Sequence, residues 1–268
     1  MRLIMYYVIS PELFGLRGDA SQAAIPIRVV PMSIDYWIDR LEDPFEMFAL
    51  VHVLRSLGAL ADESESSRAE RAGWWGVSPK YYSVEDEHDI EVVEHLIGSA
   101  FVLAQASVTQ AVSILKRMHG DAGCPIWIPK DKATVLSIAA PIHAELGISQ
   151  ITIINTAADY YKHRVEWKEE DWAGPTPKNK TIANAVALGL GPKGYHNMAH
   201  ALRELQIYPN NMAPLGSIVG NWRESLADHL RLEGAKHGVP IHPRYPEDPD
   251  TDEPSSTPPT ILEDDPPF

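Results

Sequence analysis

Residues 151–172 read ITIINTAADYYKHRVEWKEEDW, and this stretch decides the fold because it carries a clear helical pattern. Ser149 can cap the start of a helix, and neither Gly nor Pro follows until Gly174. At about 100° per residue, one face carries apolar side chains at 3-4 spacing, namely Ile151, Ile154, Ala158, Tyr161 and Val165. The opposite face carries Ile153, Tyr160, His163 and Trp167. The stretch therefore predicts a helix that is buried on both faces, or that covers a core with one face and a partner or ligand with the other.

Helical patterns extend from this stretch in both directions. Asp43, Pro44 and Glu46 have the spacing of a helix N-cap, a first helical residue and a capping-box glutamate, and the helix they open is expected to stop at Gly58. Residues 61–82 are polar and then aromatic, which indicates a surface excursion. Further helices are predicted at residues 33–41, 83–119, 131–147, 181–190, 195–206 and 213–234, of which the one at 131–147 is expected to bend or end near Pro141. The sequence thus predicts a mainly α fold, a multi-helix bundle, in which the long helix at 83–119 is a candidate dimer interface.

The two ends of the chain differ from this helical body in composition. Residues 1–32 contain the short apolar runs RLIMYYVI and IPIRVV, which predict extended or β pieces forming an arm on the body. Residues 33–238 form the predicted helical domain. From Pro240 onward the chain holds nine of its 22 prolines, and after Arg244 it holds eight acidic residues and no Lys or Arg. Residues 239–268 are therefore predicted to be a disordered acidic tail.

Charge and cysteine content exclude several classes of function. The net charge is −14, and it is still −6 without the eight acids of the tail, which argues against non-specific binding to duplex DNA. The single cysteine, Cys124, excludes an intrachain disulfide and a cysteine-based zinc site. His196 and His200 have the i,i+4 spacing of two metal ligands but no evident third ligand, so we predict no metal and no cofactor. No run of 18 uninterrupted apolar residues occurs, so we expect a cytoplasmic protein without a membrane partner.

The first candidate for chemistry is the run Lys162-His163-Arg164. Two cations beside a histidine are typical of a phosphate or nucleic-acid site, with Lys162 and Arg164 as electrostatic clamps and His163 as general acid or base. Successive helical residues fan out by about 100°, however, so the three side chains cannot all reach one atom. The alternative is a helix surface with ion pairs between Lys162 and Glu166 and between Asp159 and His163.

A second candidate is the pair Arg231 and His237. Their Arg-x5-His spacing resembles the loose Arg-x4-6-His motif of the HEPN ribonucleases, a family that is all-α and usually dimeric. Gly234 lies between the two residues and is expected to interrupt the helix there. This resemblance implies a ribonuclease or toxin in which RNA is the substrate. The segments ADYYKHRVEW and FVLAQASVTQAVSILKRM, within residues 90–235, also resemble a set of uncharacterised bacterial α-helical proteins, which carry no activity to transfer.

The chain ends in ILEDDPPF after an acidic segment rich in Pro, Ser and Thr. This end resembles the C-terminal tip of bacterial single-stranded-DNA-binding proteins, which docks on genome-maintenance proteins. The resemblance implies that Phe268 anchors in an apolar pocket, that Pro267 shapes the tip, and that Asp264 and Asp265 meet a basic rim. The chain departs from that family at Pro266, where an apolar residue is usual, and in having fewer consecutive acids. The alternative is a solubilising tail.

Two functions follow from the sequence. The first is an interaction protein of bacterial or phage nucleic-acid metabolism or defence, which docks on protein partners through its tail. The second is a HEPN-like ribonuclease that uses His163 with Lys162 or Arg164, or Arg231 with His237. RNA or single-stranded nucleic acid, and a second copy of the chain, are further candidate partners.

Overall fold

The computed structural model describes residues 34–75, 84–120, 129, 131–172, 180–192 and 196–239. Helices account for 76% of the described residues and no strand occurs among them, so the prediction of a mainly α bundle is confirmed. The predicted N-terminal arm at 1–32 lies outside the described residues. So does the tail from residue 240, including Asp264, Asp265, Pro267 and Phe268.

The longest helix lies at the centre of the bundle. The described helices are α1 (Ile34–Leu41), α2 (Pro44–Trp75), α3 (Val84–Gly120), α4 (Lys132–Val135), α5 (Gln150–His163), α6 (Glu169–Trp172), α7 (Lys180–Ala187), α8 (Asn197–Glu204) and α9 (Ala213–Lys236). Helix α3 contacts α1, α2, α5, α8 and α9. Its apolar seam, which includes Ile97, Phe101 and Val108, is fully buried within the chain. The seam we considered for dimerisation is thus used inside one copy.

Helix α2 is longer than the sequence suggested. The prediction that it stops at Gly58 was wrong, and so was the surface excursion for residues 61–75, because the helix continues to Trp75. Gly58 does not end the helix; it allows the backbone of Asn210 and Met212 to pack closely against α2. A Cβ added at Gly58 would lie 2.9 Å from the backbone oxygen of Asn210 and 3.1 Å from the amide nitrogen of Met212. Glycine is required there because another backbone touches the helix, and a helix interior tolerates it at a cost of about 1 kcal/mol.

The segment between α3 and α5 also departs from the prediction. A helix over residues 131–147 was wrong, since only Lys132–Val135 is helical and the chain then turns. Pro141 has no N–H to continue a helix, and Ile142 forms an isolated antiparallel bridge with Ser149. The Ser149 hydroxyl donates to the Leu136 carbonyl at 2.6 Å and caps α5 by accepting from the Thr152 amide. The predicted Ser149 cap is therefore confirmed, and it also fixes the loop beneath it.

A buried arginine joins α9 to α1, α2 and α3. Arg223 is 0% exposed, and its guanidinium donates to the carbonyls of Leu41 and Arg40 at 2.8 and 2.9 Å. It also donates to a Glu46 carboxylate oxygen and to the Ser107 hydroxyl, each at 2.9 Å. These bonds satisfy carbonyls at the C-terminal end of α1 that no helical amide can reach.

The predicted start of α2 is correct, since α2 begins at Pro44 and the Asp43 carboxylate accepts from the Phe45 amide at 3.0 Å. The capping-box glutamate takes a different partner from the one we expected. Glu46 binds Arg223 instead of completing the box, because the buried guanidinium offers it a charged donor.

Two described stretches are long and apolar enough, by length and composition, to cross a membrane: Ile34–Glu70 and Glu87–Met118. More than half of the second apolar window is buried inside the bundle, as expected for the core helix α3. Only 17% of the first window is buried. The apolar side chains of α2 are therefore exposed to an unusual extent.

Candidate functional site

Helix α5 ends earlier than its sequence pattern indicated. The prediction of one helix over 151–172 was wrong: α5 stops at His163, and the chain turns before α6. In a straight helix, twelve residues would separate Tyr160 and Trp172 by about 18 Å along the axis. After the turn, the ring centroids of Trp167 and Trp172 lie 6.0 and 6.1 Å from that of Tyr160. Packing of the two indoles on one phenol favours the turn over a longer helix.

The three adjacent cationic residues point to different places, as helix geometry predicted. The Lys162 Nζ donates to the Gln105 amide oxygen at 2.6 Å and lies 3.1 Å from an Asp159 carboxylate oxygen. The His163 Nδ1 lies 3.1 Å from Glu166, and its side chain is 45% exposed. The Arg164 guanidinium lies 5.8 Å from the ring centroid of Tyr161. The predicted Lys162–Glu166 and Asp159–His163 pairs were therefore wrong, and the partners are exchanged. Lys162 pairs with Asp159, and His163 pairs with Glu166, because Glu166 lies in the turn after α5 ends.

Lys162 belongs to a polar cluster between α3 and α5. The Gln105 amide donates to an Asp159 oxygen at 2.7 Å, and the Asn155 amide donates to the other at 3.1 Å. Burial lowers the pKa of nearby Lys132, while the charge of Asp159 acts in the opposite direction. Asp159 thus accepts from two amides and one ammonium, and it fixes Lys162 in the helix–helix contact.

A second polar cluster holds α8 against α3 and α5. The Tyr160 hydroxyl donates to the Gly191 carbonyl at 2.8 Å and accepts from the Asn197 amide at 2.6 Å. Burial raises the pKa of Tyr160, because the charged phenolate is disfavoured there. The buried Glu94 carboxylate accepts from the Met198 and Ala199 amides at 2.9 and 3.0 Å. A carboxylate at a helix N-terminus satisfies free amides and opposes the positive end of the helix dipole.

A cavity of about 200 Å³ lies between α2, α3 and the start of α8. Glu94 and Asp89 of α3, Glu65 and Arg68 of α2, and His196 are part of its lining. His196 has a left-handed backbone, with φ at +72°. Both oxygens of Glu94 are already bound to amides, so the cavity wall is held by the same contacts that position α8.

His200 is paired with a carboxylate. Its Nε2 lies 3.9 Å from one oxygen of Glu204, and the Nε2 of His143 lies 3.5 Å from the other. His196 is the residue before α8. In the part of the chain that the structure describes, no group of three or more His, Cys, Asp and Glu side chains is placed to hold a metal ion.

Arg231 is bound within the protein. Its guanidinium makes two hydrogen bonds to the Glu42 carboxylate, at 2.7 and 2.6 Å, and one to Asp228 at 2.9 Å. The bonds to Glu42 hold the pKa of Arg231 above its usual value. His237 is exposed at the C-cap of α9, six residues and about 240° away around the helix. Helix α9 continues through Gly234 to Lys236, so our expectation that Gly234 interrupts it was wrong.

Two exposed phenylalanines lie one helical turn apart near the start of α2. Phe45 is 83% and Phe48 is 74% exposed, and the Phe48 ring stacks on His52 with 6.4 Å between centroids. Between Phe45 and Leu60, at about 100° per residue, a single arc of about 140° holds eight exposed residues, and the next exposed residue on the same side of the helix is Glu63. We call this arc the α2 face; it consists of Phe45, Phe48, Ala49, His52, Val53, Ser56, Ala59 and Leu60. It contains no acidic residue, lysine or arginine.

A shallow groove of about 330 Å³ runs beside the α2 face, between α2 and α9. Met47, Phe48 and Val51 form one wall, and the glycines Gly216 and Gly220 lie on the α9 side. A Cβ at Gly216 would lie 2.7 Å from the Val51 side chain, so α9 approaches α2 closely. The groove and the α2 face share Phe48, so the two surfaces adjoin, and Glu42 and Glu224 also line the groove.

Comparison with known proteins identifies no relative: no family model, no curated protein and no solved structure matches the chain. Sequence reasoning missed the α2 face and Arg223. The signal for the α2 face was present, since residues 44–61 contain only two charged residues, Glu46 and Arg55, whereas a surface helix normally has one largely charged or polar side.

Proposed function

We propose that this protein is an interaction protein of bacterial or phage nucleic-acid metabolism or defence, which works in the cytoplasm. In this proposal its C-terminal tip docks on partner proteins, with Phe268 as the anchor, Pro267 as the shaping residue, and Asp264 and Asp265 as rim contacts. The resemblance of ILEDDPPF to the tip of single-stranded-DNA-binding proteins supports the choice of partner class.

The observation that carries the proposal is the α2 face. Two almost fully exposed phenylalanines on a surface without charge are costly in water, and contiguous apolar patches of this kind mark protein interaction sites. Isolated exposed apolar residues need no explanation, but here Phe45, Phe48, Val53 and Leu60 follow one another on a single side of one helix. A protein partner on this helix would remove that surface from water.

The described polar side chains also favour interaction over catalysis. Lys162 is engaged with Asp159 and Gln105, Arg231 with Glu42, and Glu94 with the start of α8. Each of these groups forms an internal contact that holds two elements together. Among the described residues, no specific contact favours the ribonuclease hypothesis over this proposal.

We expect that removing Phe268 from the full chain weakens tip binding by about 10-fold or more, because burying one phenylalanine contributes about 1.5–3 kcal/mol. The assay uses a purified genome-maintenance protein that binds the tip of single-stranded-DNA-binding proteins. It measures how well the full chain displaces a labelled tip peptide from that protein.

A Ser255→Ala chain is the matched control, since it changes the tail outside the tip, and it should displace the peptide as well as the unchanged chain does. Equal displacement with and without Phe268, or no displacement at all, would show that the tip does not dock in this way.

A further inference from the structure

We infer that the α2 face is covered by the α2 face of a second copy of this chain, in an antiparallel pairing with a twofold axis at His52. This inference rests on the proposed function, since it names one protein that occupies the surface on which the proposal depends. A twofold pairing uses the same surface on both copies, so the α2 face must be complementary to itself.

The order of large and small residues along the α2 face provides that complementarity. With the axis at His52, Phe45 of one copy lies opposite Ala59 of the other, and Phe48 lies opposite Ser56. Each phenylalanine therefore faces a small side chain, and the twofold symmetry makes each of these two contacts occur twice in the dimer. Alternation of large and small residues at facing positions allows two helices to interdigitate without voids.

Polar groups on the α2 face do not oppose this pairing. The Ser56 hydroxyl donates to the His52 carbonyl of its own helix at 3.1 Å, so its donor is satisfied before any partner arrives. His52 is stacked on Phe48 and meets its own copy at the axis. Arg55 lies opposite Ala49 of the other copy in this register, but it is at the edge of the face, so its long side chain can keep the guanidinium in water.

The exposed area is sufficient for a specific contact. An aromatic side chain buries about 150–250 Å² when it is covered, so the two phenylalanines alone contribute about 300 Å² per copy. With the smaller side chains of the α2 face and the wall of the adjacent groove, the two copies together bury on the order of 1,000 Å². A specific interface needs about that much, and one of this size forms a dimer of modest affinity.

The test is sedimentation equilibrium of the full chain across a concentration series. We expect a reversible dimer of twice the 29.7 kDa chain mass. Phe48→Glu is expected to weaken the dimer by about 30-fold or more, as for a central hot-spot residue, and to leave circular dichroism unchanged because Phe48 is exposed. Val165→Glu is the matched control, since Val165 is 87% exposed and lies away from α2, and it should dimerise normally.

A charge pair at position 52 tests the register. His52→Glu and His52→Lys chains should each be monomeric, because the twofold axis places like charges against each other. An equimolar mixture of the two chains should form a heterodimer, because position 52 of one copy then meets the opposite charge. A mixture that stays monomeric would overturn the register, and therefore the inference.

Two other results would overturn the inference outright. One is an unchanged chain that stays monomeric at concentrations well above those of the tip-binding assay. The other is a monomer that dimerises only after residues 1–33 are removed, which would identify the N-terminal segment as the occupant. Either result leaves the tip assay unaffected, so failure of the dimer and failure of the proposed function can be distinguished.

Discussion

Replacing Arg223 with alanine is expected to lower the free energy of unfolding by about 4 kcal/mol, because it removes a fully buried side chain and leaves the two α1 carbonyls without their donor. Arg223 is fully buried, and its guanidinium serves two carbonyls of α1, the Glu46 carboxylate and the Ser107 hydroxyl. Without it, α1 loses the group that caps its last turn and holds it against α9. Urea denaturation followed by circular dichroism measures the change.

Arg40→Ala is the matched control for that measurement. Arg40 is a neighbouring arginine whose side chain is 45% exposed and lies 3.5 Å from Asp43, so its loss should cost about 0.5 kcal/mol or less. If Arg223→Ala and Arg40→Ala cost the same, the buried network does not hold the four helices together as the contacts indicate.

Gly98→Ala is expected to destabilise the fold by about 2–3 kcal/mol, although alanine favours helices. Helices α3 and α5 meet at this residue. A Cβ added at Gly98 would lie 2.2 Å from Cδ2 of the Tyr161 ring, so the ring must leave its position. The Tyr161 hydroxyl also shares a hydrogen bond of 2.8 Å with Nδ1 of His95, and this bond would be lost when the ring moves.

A double-mutant cycle isolates the clash from other effects of the substitution. In a Tyr161→Ala background the ring is absent, and Gly98→Ala should then stabilise the helix by up to about 1 kcal/mol, which reverses the sign of the effect. Equal costs in the two backgrounds, measured by thermal unfolding, would mean that the close approach of Tyr161 to Gly98 does not limit packing.

The helices that the sequence predicted well are those whose pattern and end signals agree. Helices α1, α3 and α9 lie close to their predicted ranges, because each has a sustained apolar stripe. The errors arose where one residue has two physical roles. Gly58 was interpreted as a helix end, but the glycine is there because the backbone of Asn210 touches it. The sequence alone does not show that the backbone of Asn210, which is distant from Gly58 along the chain, packs against this helix.

At the candidate site, too, the local features were predicted correctly and the long-range contacts were not. Helix geometry was enough to predict that Lys162, His163 and Arg164 diverge. It was not enough to find their partners, because Gln105 comes from another helix and the end of α5 depends on two indoles that pack on Tyr160. These contacts join residues that are distant in sequence, and the pattern within one segment does not predict them.

Hydroxyl-radical footprinting of the unchanged chain, at protein concentrations below and above the midpoint of dimerisation, reports whether a second copy shields the α2 face. If a second copy covers the α2 face, oxidation of Phe45 and Phe48 should fall as the dimer forms. Oxidation of Tyr208, which is 76% exposed and belongs to the loop that packs on the Gly58 side of α2, opposite the α2 face, should stay constant. Constant oxidation of both phenylalanines across the series would contradict the account.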